Sequence, residues 1–416
     1  MKILWVKTDF LHPTTRGGQI RTLEMLRRLH ARHEIHYVAL DDGKNEEGIR
    51  RASEYCSRAY PIPHRMVGKS SPAFAWQLAA GLFARLPVAL SRYRSAGMRR
   101  TVGRLRAAEK FDLVVCDFLA PAPNLARLEE CVLFQHNVET LIWERHWQTA
   151  TDPARRLYFR LQAGKMLAYE RQVCRRVARV VAVSEADAEL MRTRFGVSKV
   201  AAVPTGVDVD WFTPPGGPEG APAARVADLV FVGSMDWLPN VDAVHYMLRE
   251  IMPLIRRRRP ATSMAIVGRN PAPEILAVTR REPGIQVTGT VPDVRPYLWG
   301  SLVSVVPLRI GGGTRLKIYE SMAARVPVVA TSVGAEGLEC RPPDQIRLAD
   351  TPEGFAEACL ELLENAGERE RIGAAARELV ASRFSWEQVA RCFEQAVGAP
   401  DVPHVWHTLQ GVPPGD

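Results

Sequence analysis

Residues 309–320 read RIGGGTRLKIYE and lie between two apolar, β-forming runs at 302–306 and 326–329. Gly311, Gly312 and Gly313 let the backbone approach a ligand closely and adopt positive φ. Thr314 suits the cap of a following helix, whose free N–H groups and dipole favour an anion. Arg309, Arg315 and Lys317 surround the turn with cations, and Glu320 follows Lys317 by one helical turn. Such a set holds a diphosphate among cations, with a carboxylate nearby for sugar hydroxyls. The alternative is a glycine-rich turn with a surface Lys317–Glu320 pair, worth ~0.2 to 0.5 kcal/mol. The spacing is neither a Walker loop nor a G-x-G-x-x-G after a first strand.

The elements that position this loop alternate in type along the whole chain. β-like runs (KILWVKT, EIHYVALD, DLVVCD, CVLFQHN, RVVAVS, then LVFVGSM, SMAIVG, IQVTGTV, VSVVPLRI, VPVVATSV) are separated by helical patterns at 19–31, 154–176, 241–257, 274–280, around Tyr297 and at 315–324. Continuous Val/Ile runs between amphipathic helices predict parallel sheets covered on both faces. At 416 residues the chain suits two domains of ~100 to 200 residues each. The Pro/Gly-rich stretch TPPGGPEGAPAA at 213–224 predicts the linker. Ligands of such sheets collect at the carboxyl ends of the strands, so two doubly wound α/β domains are expected to face a cleft. The expected divisions are a first domain over 1–212, the linker at 213–224, a second domain over 225–385, a helix at 386–397 packing back on the first domain, and a loose tail at 398–416.

Composition is that of a globular chain, 46% hydrophobic and 24% charged. No run reaches the ~18 apolar residues of a spanning helix, and the first residues lack a secretion signal, so a cytoplasmic location is expected. The seven cysteines are scattered without metal-ligand spacing and read as reduced core residues. The charge of +9 is concentrated: from Tyr55 to Ala108 there is no Asp or Glu but ten Lys or Arg. Within it, Phe74, Trp76, Leu78, Leu82 and Phe83 precede the arginines of RSAGMRRTVGRLRAA. An apolar face beside a basic one suits a peripheral site on an anionic membrane at 70–106; the alternative is a helix packed on its own domain. No recognition module for nucleic acid accompanies the basic residues.

The order FVGSMDWLPN, AIVGRN, VTGTVPDVRPYL and PLRIGGGTRLKIYESMAARVPVVAT resembles the donor domain of GT-B glycosyltransferases, specifically retaining glycosyltransferase family 4. VVAVSEADAELM and VPTGVDVDWFTP extend the resemblance backwards, and TTRGGQIRTLEMLRRL looks like the glycine loop and first helix of the acceptor domain. The resemblance implies GT-B architecture and transfer of a sugar from a nucleotide-diphosphate sugar to an acceptor hydroxyl. It implies a base near Thr290, Val291 and Pro292, and a diphosphate on Gly311, Gly312, Gly313 and Thr314 with Arg309, Arg315 or Lys317. Gly233 stands beside them, and the ribose lies on Glu320. Gly17 and Gly18 of the first domain are implied to approach the diphosphate, and His136 in FQHN to contact the transferred sugar.

Two positions depart from the family pattern. Gly312 stands where the first Glu of a Glu-seven-residues-Glu signature is usual, and 234–239 lacks the Arg and Lys often found there. The latter favours Arg309, Arg315 and Lys317 as the phosphate cations.

Asp208 and Asp210 form a D-x-D, a metal-binding pattern in another glycosyltransferase fold, but within TGVDVDWF they read as a capped turn. No metal or cofactor is expected. Arg256 to Arg259 read as a cationic helix end, Ser184 as an N-cap, and Trp237 and Trp299 as packing residues. The expected partners are a nucleotide sugar and a glycan or lipid-linked acceptor, in cell-surface polysaccharide or glycolipid assembly. A nucleotide-sugar 2-epimerase on the same fold, or a degenerate nucleotide- or glycan-binding partner protein, are the alternatives.

Overall fold

The computed structural model describes residues 1–14, 17–68, 71–150, 152–215, 224–235, 237–310 and 316–398. The chain divides into two compact units, Met1–Pro204 with Val389–Asp416, and Thr205–Gln388.

In the first unit, β1 (Lys2–Val6), β2 (Glu34–Asp41), β3 (Arg58–Pro63), β4 (Leu113–Asp117), β5 (Val132–Phe134), β6 (Arg179–Ala182) and β7 (Val200–Ala202) form one sheet. Among the described residues its order is β3-β2-β1-β4-β5-β6-β7, and every pairing is parallel. Ile3, Leu4, Trp5 and Val6 are fully enclosed, as expected of a central strand buried on both faces. The helix Gly17–His30 follows β1 and turns Leu23, Met25, Leu26 and Leu29 inward.

The second unit holds β8 (Ala227–Val232), β9 (Met264–Val267), β10 (Ile285–Val287), β11 (Ser301–Val306), β12 (Val328–Ala330) and β13 (Arg347–Leu348). Their order among the described residues is β10-β9-β8-β11-β12-β13, again parallel. The helical run after β8 begins at Leu238, with Pro239 in its first turn, ahead of the expected 241; proline is favoured there because its missing N–H would be unpaired anyway.

The second unit starts at Thr205, not after the Pro/Gly stretch, of which 216–223 lie outside the described residues. TGVDVDWFT is tied to the second unit by long-range hydrogen bonds: Val207 N donates to Phe384 O (2.8 Å), Trp299 Nε1 to Phe212 O (2.8 Å) and Arg377 to Thr213 Oγ1 (2.8 Å). Composition marks the flexible stretch but is blind to partners so far along the chain.

The helix Trp386–Gly398 begins in the second unit, and its residues from Val389 belong to the first. There Phe393 packs on Trp5 and Phe134 at 5.7 and 5.3 Å between ring centroids, and Glu394 meets Arg32 and His33. Residues 399–416, which include most of the expected loose tail, lie outside the described residues.

The seven cysteines are all unpaired, and only Cys340 is not fully buried. Among the described residues no helix is long and apolar enough to cross a membrane. The basic segment forms separate helices, Pro72–Phe83, Val88–Ser91 and Ala96–Ala108. In the last of these Met98, Val102 and Leu105 enter the core, so its arginines are not on the same helix as Trp76 and Phe83.

Candidate active site

In the second unit the site begins where β8 ends. Gly233 follows the strand, and a Cβ there would lie 2.7 Å from Lys317 Nζ and 2.8 Å from Asn240 Nδ2. Only glycine leaves room for that ammonium. Lys317 Nζ donates to Asn240 Oδ1 (2.8 Å) and lies 4.5 Å over the Phe231 ring. The helix Leu316–Ala323 carrying Lys317 is pinned to β11 by a Ser321–Ser304 hydroxyl bond of 2.9 Å. One turn on, Glu320 is half-buried. Burial pushes its carboxyl up to about 7, and Lys317 opposes the shift.

Arg309 does not turn to this helix. Its guanidinium pairs with Asp242 (2.7 Å) and Glu250 (3.4 Å) and covers the Tyr246 ring at 4.4 Å. It is a partner of the helical run after β8, in contrast to its expected place among the phosphate cations. Thr290, Val291 and Pro292 form the loop after β10, with Val291 half-buried and the other two exposed. Gly311, Gly312, Gly313, Thr314 and Arg315 lie outside the described residues.

Asp208 caps a turn by accepting from Trp211 N (3.0 Å), in accord with the capped-turn reading of D-x-D. Arg295 lies 3.6 Å over Trp211 and is held by Asp293. Ser184 caps its helix through Asp187 N (3.1 Å). Arg256, Arg258 and Arg259 bind acids and carbonyls of their own unit.

In the first unit His136 follows β5, and its Nε2 meets Asp117 Oδ1 at 2.7 Å. Asp117 is fully buried at the end of β4. Burial raises its carboxyl, yet the Lys7 ammonium at 3.1 Å and His136 bring it well below the usual carboxylate range. Trp5 Nε1 (2.8 Å) and Thr22 Oγ1 (2.7 Å) donate to its second oxygen. An ionised Asp117 accepts, so His136 Nε2 carries the proton. Burial holds the ring neutral, with its pKa pushed down to about 3 against the pull of Asp117. Nδ1 is therefore a lone-pair acceptor, and it is buried without a hydrogen-bond partner among the described residues.

The imidazole is fixed by more than Asp117. It stacks on Phe118 with centroids 3.8 Å apart and planes 3° from parallel. Phe118 has φ of 71°, a strained conformation for a bulky side chain and one that clusters at functional sites. Gly18 sits over both rings: a Cβ there would be 2.6 Å from Phe118 and 3.8 Å from His136 Nδ1. Gly17 and Gly18 open the helix Gly17–His30. Beside them lies a cavity of about 380 Å³ lined by Lys7, Asp9, Gly18, Arg92, Phe118 and Glu139, among others.

The sequence reading missed Lys7 and Asp117, although a charge closing each apolar strand, in KILWVK and LVVCD, is a visible signal. It also missed Glu170, which receives Gln135 Nε2 (2.9 Å), Thr140 N (2.8 Å) and Glu139 N (2.9 Å). Burial raises Glu170 to about 7 and, with Glu170 as neighbour, Glu139 likewise. Among the described residues one cluster has metal-ligating types, Glu34, His36 and Glu109. The Lys2 ammonium already pairs with both of its carboxylates.

Two parallel α/β sheets in this order define a GT-B glycosyltransferase fold. Solved structures that share it include a glycosyltransferase from Rickettsia africae ESF-5 (16% identity, 99% of each chain covered, TM-score 0.62). Anabaena Alr3699/HepE in complex with UDP is 12% identical over 96% of this chain and 100% of that one, with a TM-score of 0.66. A Staphylococcus aureus (S. aureus) TarM variant in complex with Fondaparinux, alpha-GlcNAc-glycerol and UDP is 13% identical over 96% and 100%, with a TM-score of 0.65. No curated protein sequence matches the chain. The glycosyltransferase family 4 model matches residues 15–211 and the glycosyl transferases group 1 model residues 227–365. The chain belongs to this glycosyltransferase family.

Proposed function

We propose that the protein transfers a sugar from a nucleoside-diphosphate sugar to an acceptor hydroxyl, with retention at the anomeric carbon and without a metal. The observation that carries this is Lys317, seated against Gly233 at the end of β8 one turn before a half-buried Glu320. As the bond from sugar to diphosphate breaks, the sugar becomes oxocarbenium-like and negative charge grows on the leaving phosphate. Lys317 and the start of its helix stabilise that charge, a type of contact whose removal costs about 10²- to 10³-fold in rate. Arg315 and the glycines 311–313 are assigned to the same phosphates, and Glu320 to the ribose hydroxyls. Thr290, Val291 and Pro292 are assigned to the base.

In the first unit His136 Nδ1 accepts a hydrogen bond from a sugar hydroxyl, and the cavity beside Gly18 receives the acceptor. Asp9, Arg92 and Glu139 give that cavity groups for hydroxyls. The departing phosphate takes the acceptor's proton, so no side-chain nucleophile is needed. With Asp208 engaged in a turn and a lysine at the diphosphate, a bridging metal has no role. UDP in complex with Alr3699/HepE, and UDP with a glycan in the TarM complex, support a nucleotide donor and a glycan acceptor. A cell-surface or glycolipid product fits this reading.

The test is transfer by the purified protein in the presence of a chelator, with the product's anomeric configuration read by NMR. Retained configuration and undiminished rate are expected. An inverted product or a requirement for divalent metal would refute the mechanism.

A further inference from the structure

The helix Pro72–Phe83 has no charged residue, and of its residues with described burial only Gly81 is buried. Trp76 is 71% exposed and Phe83 91%, with Leu82 also exposed. A helix apolar on all sides is normally enclosed; this one has an uncovered face. Its C-terminal end is fixed, because Lys165 Nζ donates to the carbonyls of Gly81 (2.7 Å) and Leu82 (2.8 Å). Lys165 belongs to the helix Pro153–Arg176, which exposes Leu161 and Leu157 one and two turns earlier. Lys165 thus joins two helices that each expose apolar side chains.

The charge carried by the two segments themselves has one sign. Residues 55–108 and 153–169 contain no Asp or Glu, and Arg85, Arg155, Arg156 and Arg160 are exposed. Asp152, just ahead of the second segment, caps its helix by accepting from Arg155 N (2.7 Å).

We propose that this face docks the protein on an anionic lipid bilayer. Trp76, Leu82 and Phe83 enter the boundary between headgroups and acyl chains, and the arginines meet the lipid phosphates. A second copy of the chain is a poor occupant, since a two-fold contact sets the same patch, and so the same arginines, against itself. Docking would bring a lipid-carried acceptor to the enzyme; that consequence rests on the transfer reading above, whereas the docking does not.

The experiment is flotation of the full chain, without nucleotide, on vesicles of phosphatidylcholine alone or mixed with phosphatidylglycerol. Binding is expected on the anionic vesicles only, and weakening with salt. Trp76→Ser with Phe83→Ser should weaken it at least tenfold, and alanine at Arg155, Arg156 and Arg160 by about fivefold per arginine. Melting temperatures should be unchanged, because these side chains are exposed. Failure of the wild type to bind anionic vesicles, equal binding by the variants, or a Trp76-dependent dimer that does not bind vesicles would overturn the proposal. Nucleotide binding is measured separately, so failure of one reading leaves the other standing.

Discussion

His136 presents an Nδ1 that has no partner among the described residues because Asp117 holds the other nitrogen, and Asp117 stays ionised because Lys7 is buried beside it. Asp117→Asn leaves that lysine without its counter-charge. Breaking a buried pair costs about 3–5 kcal/mol, so a marked fall in melting temperature is expected, together with loss of the Nε2–H tautomer in nitrogen NMR. A stable variant with an unchanged imidazole spectrum would disprove the arrangement. Glu320 gives a second prediction. Its folded carboxyl keeps a proton up to about 7, whereas the unfolded one releases it near 4.5. The folded state therefore binds more protons between these values, and the contribution of Glu320 to stability falls as pH rises through that window. Ribose hydroxyls donate to the ionised form, so affinity for a nucleotide sugar, whose diphosphate diester does not titrate there, should rise as pH passes about 7. Glu320→Gln should flatten both profiles in thermal melts and calorimetric titration.

At the scale of elements, the ends of strands do the positioning. Gly233→Ala would place a methyl against Lys317 Nζ, the mobile tip of a flexible side chain. The lysine should yield while the fold holds: stability is expected to change by less than about 1 kcal/mol and nucleotide affinity to fall at least tenfold, in paired melting and binding measurements. Unchanged affinity would remove Lys317 from the donor site. Most strands were legible, because apolar runs such as LVFV and VSVV are enclosed in the sheets, whereas β3, β7 and β13 and the helices Glu139–Thr149, Pro352–Glu364 and Ala366–Arg383 were not read from the sequence. Lys317 and Glu320 were picked out by the glycines before them, and the structure seats Lys317 against Gly233 and half-buries Glu320. The partners of Arg309 were not legible, since its acids lie on a helix some sixty residues earlier in the chain. Nor was Asp117, whose importance comes from β1 and β4 lying side by side.

At the scale of the whole molecule, the family assignment spans both units. The Pro/Gly stretch suggested the division, but the hydrogen bonds of Val207 and Thr213 place it earlier. The surplus of positive charge was visible in composition. Its placement was less so, because the arginines of Ala96–Ala108 sit on a helix that packs into the core, while those beside the exposed Leu157 and Leu161 come from a later helix. The claim on which the account depends is that the second unit binds a nucleoside diphosphate through Lys317 and Glu320. Its most direct test is thermal stabilisation of the wild type, Lys317→Ala and Glu320→Ala by a panel of nucleoside diphosphates and their sugars. At one hundred times the dissociation constant a ligand adds ~2.7 kcal/mol to the folded state, so a clear shift with at least one compound is predicted for the wild type and a weakened shift for both variants. No shift with any nucleotide in a folded protein, or equal shifts in all three, would contradict the account.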